Sequence, residues 1–393
     1  MSRTWNQYIV KQENKALVLK TIIEHTPISR AKVAQVTGLN KGTVSSLVSE
    51  LIDEHFVTES GPGESSGGRR PFMLLFNQAA GYTIALDLGV GYIDAALTDL
   101  NGEILVKKHE KMYERQFDTV FEHIVSIIYT LIKEMKKSPY GLVGIGIGVP
   151  GVVNHEGEIL LAPNLNWKNI QLKQALHDVF DVPVIVENEA NAAAYGEMRF
   201  GFETPPKHVL YLSVGMGIGM GMVLDQKLYT GLNGFAGEMG HITIVKDGIN
   251  CRCGNTGCFE RYASEQALLE QAIKRGLVTG NEEASVDLLI EKANANNEAV
   301  IALFKEMGEY IAIGITTMIH LFNPEQILIG NQLSKLQPWI REDIQTYVYS
   351  HAIGFRSKKV TVDFTSPDHL STIKGMASFT IENFLLSIKQ TEE

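Results

Sequence analysis

Cysteine is scarce in this chain: three in 393 residues, all between positions 251 and 258. An odd, clustered set excludes a disulfide framework of the secreted kind and points to a metal instead. Long apolar runs are missing too. The longest, Tyr140 to Val153, is interrupted by glycines and by Pro150, and it falls short of the ~20 apolar residues of a membrane span. The first fifteen residues, MSRTWNQYIVKQENK, lack the apolar stretch of a secretory signal. The expectation is a cytoplasmic protein with no membrane partner. Low-complexity segments and short-period repeats are absent. With 45% hydrophobic and 20% charged residues, the chain lies outside the disordered class. Its length suits two or three domains of ~100–200 residues each.

Positive charge is also in short supply, and unevenly so. The net charge is −10, yet residues 1–75 hold nine Lys and Arg against seven Asp and Glu, whereas the remainder holds 26 against 38. An acidic body repels a phosphate backbone, so any nucleic-acid contact is expected in the N-terminal segment alone. The turn-rich stretch GPGESSGGRR (61–70) separates a helical pattern from strand-like runs. The expected division is a first domain over 1–78 and a larger body over 79–393.

Within the first domain, ISRAKVAQVTGLNKGTVSSLVSELI (28–52) reads as a helix-turn-helix. Ser29 can cap a helix whose inward residues are Val33 and Val36. Gly38 suits a turn requiring positive φ, and Asn40 can cap the next helix. There Val44, Leu47, Val48, Leu51 and Ile52 follow helical spacing and mark a buried face. The other face starts with Lys41, Thr43, Ser45 and Ser46, short polar groups suited to a major groove. Strand, loop and strand follow over 55–77 and form a wing, with Arg69 and Arg70 at its tip for a minor groove or phosphates. Arg30 and Asn40 complete the candidate DNA-binding set. Arg30 and Lys32 fit a solvated charge equally well.

The body alternates strands (82–89, 92–100, 141–151, 182–188, 208–217, 218–225, 325–330) with helices (170–180, 189–200, 301–322). That pattern makes it α/β with two lobes. Within it, His241, Cys251, Cys253 and Cys258 have the spacing H-x9-C-x-C-x4-C. Three thiolates and one imidazole complete a tetrahedral structural zinc site with no open position for water.

The stretches GFAGEMGH (234–241) and CRCGNTGCFE (251–260) resemble the signature of the ROK family of repressors, open reading frames and sugar kinases. PISRAK, TGLNKGTVSS, SSGGRRP and ENEANAAAYGE are similar to the xylose-responsive repressors within that family. The resemblance runs from about residue 15 to the C-terminus. It implies an actin/hexokinase-like pair of lobes with a sugar in the cleft. It further implies a lobe boundary near 188–208 and a C-terminal helix returning to the first lobe. The sugar contacts it implies are Asn188, Glu189, Glu238, His241 and Glu260, with Asn164 as a further candidate. His241 would serve zinc through one ring nitrogen and sugar through the other.

The kinase pattern of the family is broken in four places. Its D-x-G-G-T phosphate turn is here Asp87-Leu88-Gly89-Val90-Gly91. Met216 replaces a threonine in Gly215–Gly219. A glycine pair on the nucleotide side is Gly330-Asn331. Glu189 stands where the kinases have an aspartate base, one methylene too long to keep its reach. The function expected is therefore a repressor, not an enzyme. It would bind operator DNA as a homodimer or a tetramer and be released by xylose or a related aldose. An ATP-dependent sugar kinase with an accessory DNA-binding domain is the alternative, and the sign of regulation stays open.

Overall fold

The computed structural model describes residues 3–62, 72–279, 282–353, 360–366 and 370–387. The N-terminal unit packs α1 (Arg3–His25), α2 (Arg30–Thr37) and α3 (Lys41–Asp53) on a small sheet. That sheet holds β1 (Ile28–Ser29), β2 (Val57–Pro62) and β3 (Phe72–Phe76), in the order β1-β3-β2. Ser29 Oγ accepts from Lys32 N at 3.2 Å and Asn40 Oδ1 from Thr43 N at 2.8 Å, so both caps form. Gly38, at φ 73°, takes the left-handed turn between α2 and α3. Val33, Val44, Val48 and Leu51 are fully buried. Val36 is not inward, as its spacing suggested, but 45% exposed. In a helix this short the inward stripe passes through Val33, Ala34 and Thr37, whose hydroxyl bonds back to Val33 O at 2.7 Å.

The first lobe is built on β4 (Tyr82–Leu88), β5 (Tyr92–Asp99), β6 (Ile104–Lys111), α4 (Phe117–Glu134) and β7 (Leu142–Val149). The short strands β8 (Val152–Val153), β9 (Ile159–Ala162) and β10 (Trp167–Ile170) follow, then α5 (Leu172–Phe180), β11 (Val184–Asn188) and α6 (Glu189–Phe200). The second lobe contains β12 (Val209–Val214), β13 (Ile218–Leu224), β14 (Lys227–Leu228), α7 (Glu260–Ala263), α8 (Glu265–Lys274) and α9 (Val286–Asn294). It continues with α10 (Glu298–Phe322), β15 (Gln326–Gly330), α11 (Gln337–His351) and β16 (Thr361–Phe364), and α12 (Leu370–Ser387) ends the described chain.

The two large sheets share one topology. Their orders are β11-β7-β4-β5-β6 and β14-β13-β12-β15-β16. In each, the first strand in chain order pairs antiparallel with the second and parallel with the fourth, and the fourth pairs parallel with the fifth. Parallel pairs need helical crossovers, so helices cover both faces. Ile84, Leu86, Ile145 and Ile147 pack with α4 on the outer face of the first sheet, while Ala85 and Ala96 meet α12 on the inner face. The second sheet buries α10 and α11 on one face and α6 on the other.

Helices α6 and α12 thus lie between the sheets, at backbone contact. The alternation Gly144-Ile145-Gly146-Ile147-Gly148 leaves side chains only on the outer face of β7. A Cβ at Gly146 would sit 2.8 Å from Met376 O, and one at Gly375 only 1.8 Å from Ala192 O. Gly375→Ala, which in an exposed helix would stabilise by ~1 kcal/mol, is therefore expected to destabilise by ~1–3 kcal/mol here. Urea unfolding checks the sign. Among the described residues no helix is long and apolar enough to cross a membrane.

Candidate functional site

The cleft between the lobes centres on the tight turn between β12 and β13. Gly219 lies beneath Glu189, whose Oε1 is 3.6 Å from where a Cβ would be. Gly217 lies beneath Glu260 Oε2 and Asn164 Nδ2, at 3.2 and 3.7 Å by the same measure. Two carboxylates and an amide from different elements thus converge over Gly217 and Gly219, where no side chain stands in their way. Asn164 also borders a cavity of about 290 Å³ that reaches Val90, Arg115, Met216 and Arg252.

Glu189 opens α6. Burial pushes its carboxyl from the ordinary 4.5 to about 7, and the negative charge of Glu238 adds to the rise. Glu238 is likewise raised, first by burial and then by Glu260, with His241 opposing. Carboxylates that crowd without cations nearby are costly. A ligand rich in hydroxyl donors relieves that cost, because each hydroxyl can donate to one of them. Asn188 behaves differently. Its Oδ1 accepts from the backbone N of Ala190 and Asn191 at 2.9 and 3.1 Å, which caps α6. Its Nδ2 donates to Gly151 O at 2.9 Å and Glu189 Oε2 at 3.0 Å. All four of its bonds go to protein, so Asn188 positions Glu189 here.

The loop after β14 gathers His241, Cys251, Cys253 and Cys258, whose ligand atoms all lie within 4.8 Å of one another. Gly257 is indispensable to this path: at φ 71° its Cα approaches Val245 O so closely that a Cβ would lie 1.7 Å away. Cys253 Sγ is 3.7 Å from Cys258 Sγ, and Cys251 Sγ is 3.7 Å from His241 Nδ1. A tetrahedral zinc with ordinary bond lengths needs about 3.8 and 3.6 Å for those two spans. Burial pushes the Cys251 thiol up to about 12, so a thiolate there requires a cation beside it. The cluster is compatible with structural zinc. His241 turns Nε2 toward Glu238 Oε2, 3.9 Å away, so the ring links the metal cluster to the cleft. Glu260 follows the last cysteine, with Phe259 fully buried between them as an anchor in the second lobe's core.

The turns that resemble nucleotide-binding elements are filled by the chain itself. The ring of Tyr92 covers Gly89, with Cε1 only 2.1 Å from a Cβ position there, and its hydroxyl donates to Asp87 Oδ2 at 3.1 Å. Asp87 is buried, which pushes its carboxyl well up. Asn331 lies over Gly215 and donates to Ser213 Oγ at 3.1 Å. Neither the Tyr92 ring nor the Asn331 side chain was foreseen in these roles from the sequence. A large residue three positions after the turn glycine was the available signal.

In the N-terminal unit, Lys41, Ser45 and Ser46 are exposed on α3 and Thr43 is half-buried. Arg30 is held by Glu59 Oε1 at 2.8 Å and by Ser45 O at 3.4 Å, so it braces α2, α3 and β2. Asn40 spends its side-chain oxygen on the cap. Arg69 and Arg70 lie outside the described residues.

Residues 83–383 match the model of the ROK family. A xylose repressor of Bacillus spizizenii is 41% identical over 98% of this chain and 99% of its own. Among solved structures, a ROK family transcriptional regulator, a homolog of the Escherichia coli MLC protein, superposes with a TM-score of 0.81 and 28% identity, covering 97% of this chain and 99% of that one. A ROK family glucokinase from Streptomyces griseus, in complex with glucose and AMPPNP, gives 0.67 and 28%, covering 76% of this chain and 99% of that one. Kinase and regulator thus share the two-lobed body, and the chain belongs to the ROK family.

Proposed function

We propose that the protein is a sugar-responsive transcriptional repressor that releases its operator when xylose binds between the lobes. The observation that carries this is the pairing of a polar sugar-side cleft with nucleotide-side turns filled by Tyr92 and Asn331. The similarity to a xylose repressor over nearly the whole length supports the choice of sugar. Glu189, Glu238, Glu260 and Asn164 receive the hydroxyls, with His241 Nε2 as a further partner. His241 Nδ1, Cys251, Cys253 and Cys258 would hold a structural zinc, which would fix that tautomer and hold the loop. Phosphoryl transfer is not expected, since the Tyr92 ring closes the turn at Gly89 and its hydroxyl engages Asp87.

Residues 1–78 form the winged helix-turn-helix domain, and α3 enters the major groove with Lys41, Thr43, Ser45 and Ser46. In a homodimer two such helices meet successive grooves of a palindromic site. The test uses a duplex selected from a random pool by the full-length protein. Xylose should release it, and xylose with magnesium and ATP should give no ADP above background. ADP production at enzymatic rates would establish the kinase instead. Lys41→Ala should weaken binding to that duplex and reduce the slope of log affinity against log salt by about one, as for one lost phosphate contact, with xylose binding unchanged. An unaltered slope would remove Lys41 from the DNA interface.

A further inference from the structure

Helix α12 touches the sugar side of the cleft at one end and the N-terminal unit at the other. Near its start, Thr372 Oγ1 donates to the backbone oxygen of Glu189 at 3.4 Å. Thr372 is buried, and its methyl fills the space over Gly148. Ser371 bonds Glu197 one helical stretch further along α6. Near its end, Phe384 packs against Tyr140 and Phe56, with ring centroids 5.3 and 5.9 Å away. Those two rings stack on each other at 4.9 Å. Phe56 is fully buried and belongs to the core of the N-terminal unit, and Phe384 and Leu385 pack into that same core. Tyr140 Oη donates to Glu54 O at 2.8 Å, where α3 ends. The twelve helical steps from Thr372 to Phe384 span about 18 Å.

The middle of this helix cannot slide independently of its neighbours. Gly375 and Gly196 bring α12 and α6 together backbone to backbone, and Gly144 and Gly146 seat α12 on β7. A shift of Glu189 and the start of α6 must therefore move α12 as a body or be absorbed by breaking close-packed contacts. At the far end the moving part is a ring wedged beside the last turn of α3. The opposite end of α3 carries Lys41, Ser45 and Ser46, so a small tilt at the wedge is largest at the surface proposed to meet DNA.

We infer that α12 is the element coupling the sugar cleft to the N-terminal unit, with Thr372 and Phe384 as its positioning residues. This rests on the proposed repressor function. The competing route is the covalent link over 77–81, where Asn77 N donates to Phe56 O at 2.9 Å and Tyr140 N to Ala80 O at 2.9 Å. The two routes separate in a variant that keeps the link and loses the wedge.

The experiment measures, on the full chain, the xylose dissociation constant without DNA and the dissociation constant for the selected duplex with and without saturating xylose. Phe384→Ala should leave xylose affinity and zinc content within about twofold of the parent. The xylose-induced change in duplex affinity should shrink about tenfold, within the ordinary range of coupling between sites. Phe384→Leu, which keeps most of the volume, and Tyr140→Phe, which keeps the ring but loses the bond to Glu54, should each fold normally and lose coupling by a smaller factor. Coupling unchanged in all three overturns the assignment and leaves the 77–81 link as the route. A parent protein whose duplex affinity ignores xylose overturns the repressor function itself, and the assignment with it.

Discussion

Cys258→Ser is expected to strip the metal, lower stability sharply and blunt the response to xylose. Cys258 is fully buried, its sulfur lies 3.7 Å from Cys253 Sγ, and Phe259, the next residue, plugs the core of the second lobe against α10. Serine cannot replace a thiolate toward zinc, and three remaining ligands leave the site open. Structural zinc binds small domains with apparent free energies of ~10–16 kcal/mol. In a lobe with its own apolar core only part of that returns as lost stability, yet the loss should exceed the ~0.5–3 kcal/mol of an ordinary substitution. The functional effect follows from the same residues, because His241 belongs to the cluster, Glu260 adjoins it, and both face the cleft. Metal analysis should fall from about one zinc per chain to near zero. The xylose concentration for half-release should rise tenfold or more, in line with mutations around a metal site. Parental zinc content or an unaltered xylose response in the variant would refute this account.

Much of this arrangement was legible in local signals. The caps at Ser29 and Asn40 needed only the right side chain before a helical pattern. The strands around Asp87 and Asn188 announced themselves as short apolar runs, the first bounded by Gly81 and Gly89 and the second preceded by Pro183. The metal cluster required only that rare residues be close in sequence. What stayed hidden depends on contacts between distant segments. The glycines of GLVGIGIGVPG read as a buried strand, but nothing local says that α12, over 220 residues later, lies against them. Val36 followed helical spacing and still points outward, since a two-turn helix has too few residues to define its face. Tyr92 and Asn331 fill the turns at Gly89 and Gly215 through geometry that spacing does not encode. Asn188, a sugar contact by resemblance, also caps α6 and bonds Gly151 and Glu189, partners that its spacing does not encode.

Those buried contacts also explain how a body shared with kinases can serve a different purpose. A kinase must leave its phosphate turns open and its base free to accept a proton. Here the ring over Gly89 and the amide over Gly215 close the turns. The longer side chain of Glu189 is held at the start of α6 by Asn188. The sugar side keeps its cluster of polar groups, Glu189, Glu238, Glu260 and Asn164, and on the proposed coupling the binding energy of a sugar there would move α12 instead of a phosphoryl group.

Glu189→Ala should raise the xylose concentration for half-release by tenfold or more and leave operator affinity without sugar unchanged. A carboxylate accepting hydroxyl bonds contributes ~1.5–3 kcal/mol, and 1.4 kcal/mol is one decade. If Glu189 served only the dipole of α6, removal would cost ~0.3–1 kcal/mol of stability and leave induction intact. Asn188 already caps that helix through two backbone N–H groups, which leaves the dipole little to gain. A second variant, Glu189→Gln, isolates the charge. Burial, reinforced by Glu238, raises the folded carboxyl from 4.5 to about 7. Between those values the native state holds a proton that the unfolded chain has released, so stability falls as pH rises through that window. Glutamine cannot titrate, and its stability should lack that slope and exceed the parent's above pH 7. Xylose binding should follow the opposite sign: the parent's affinity grows from pH 6 to 8 as Glu189 ionises and accepts more strongly, while the glutamine variant's gains less. Calorimetric titration at the two pH values decides it, and equal pH dependence in both proteins would take Glu189 out of the sugar site.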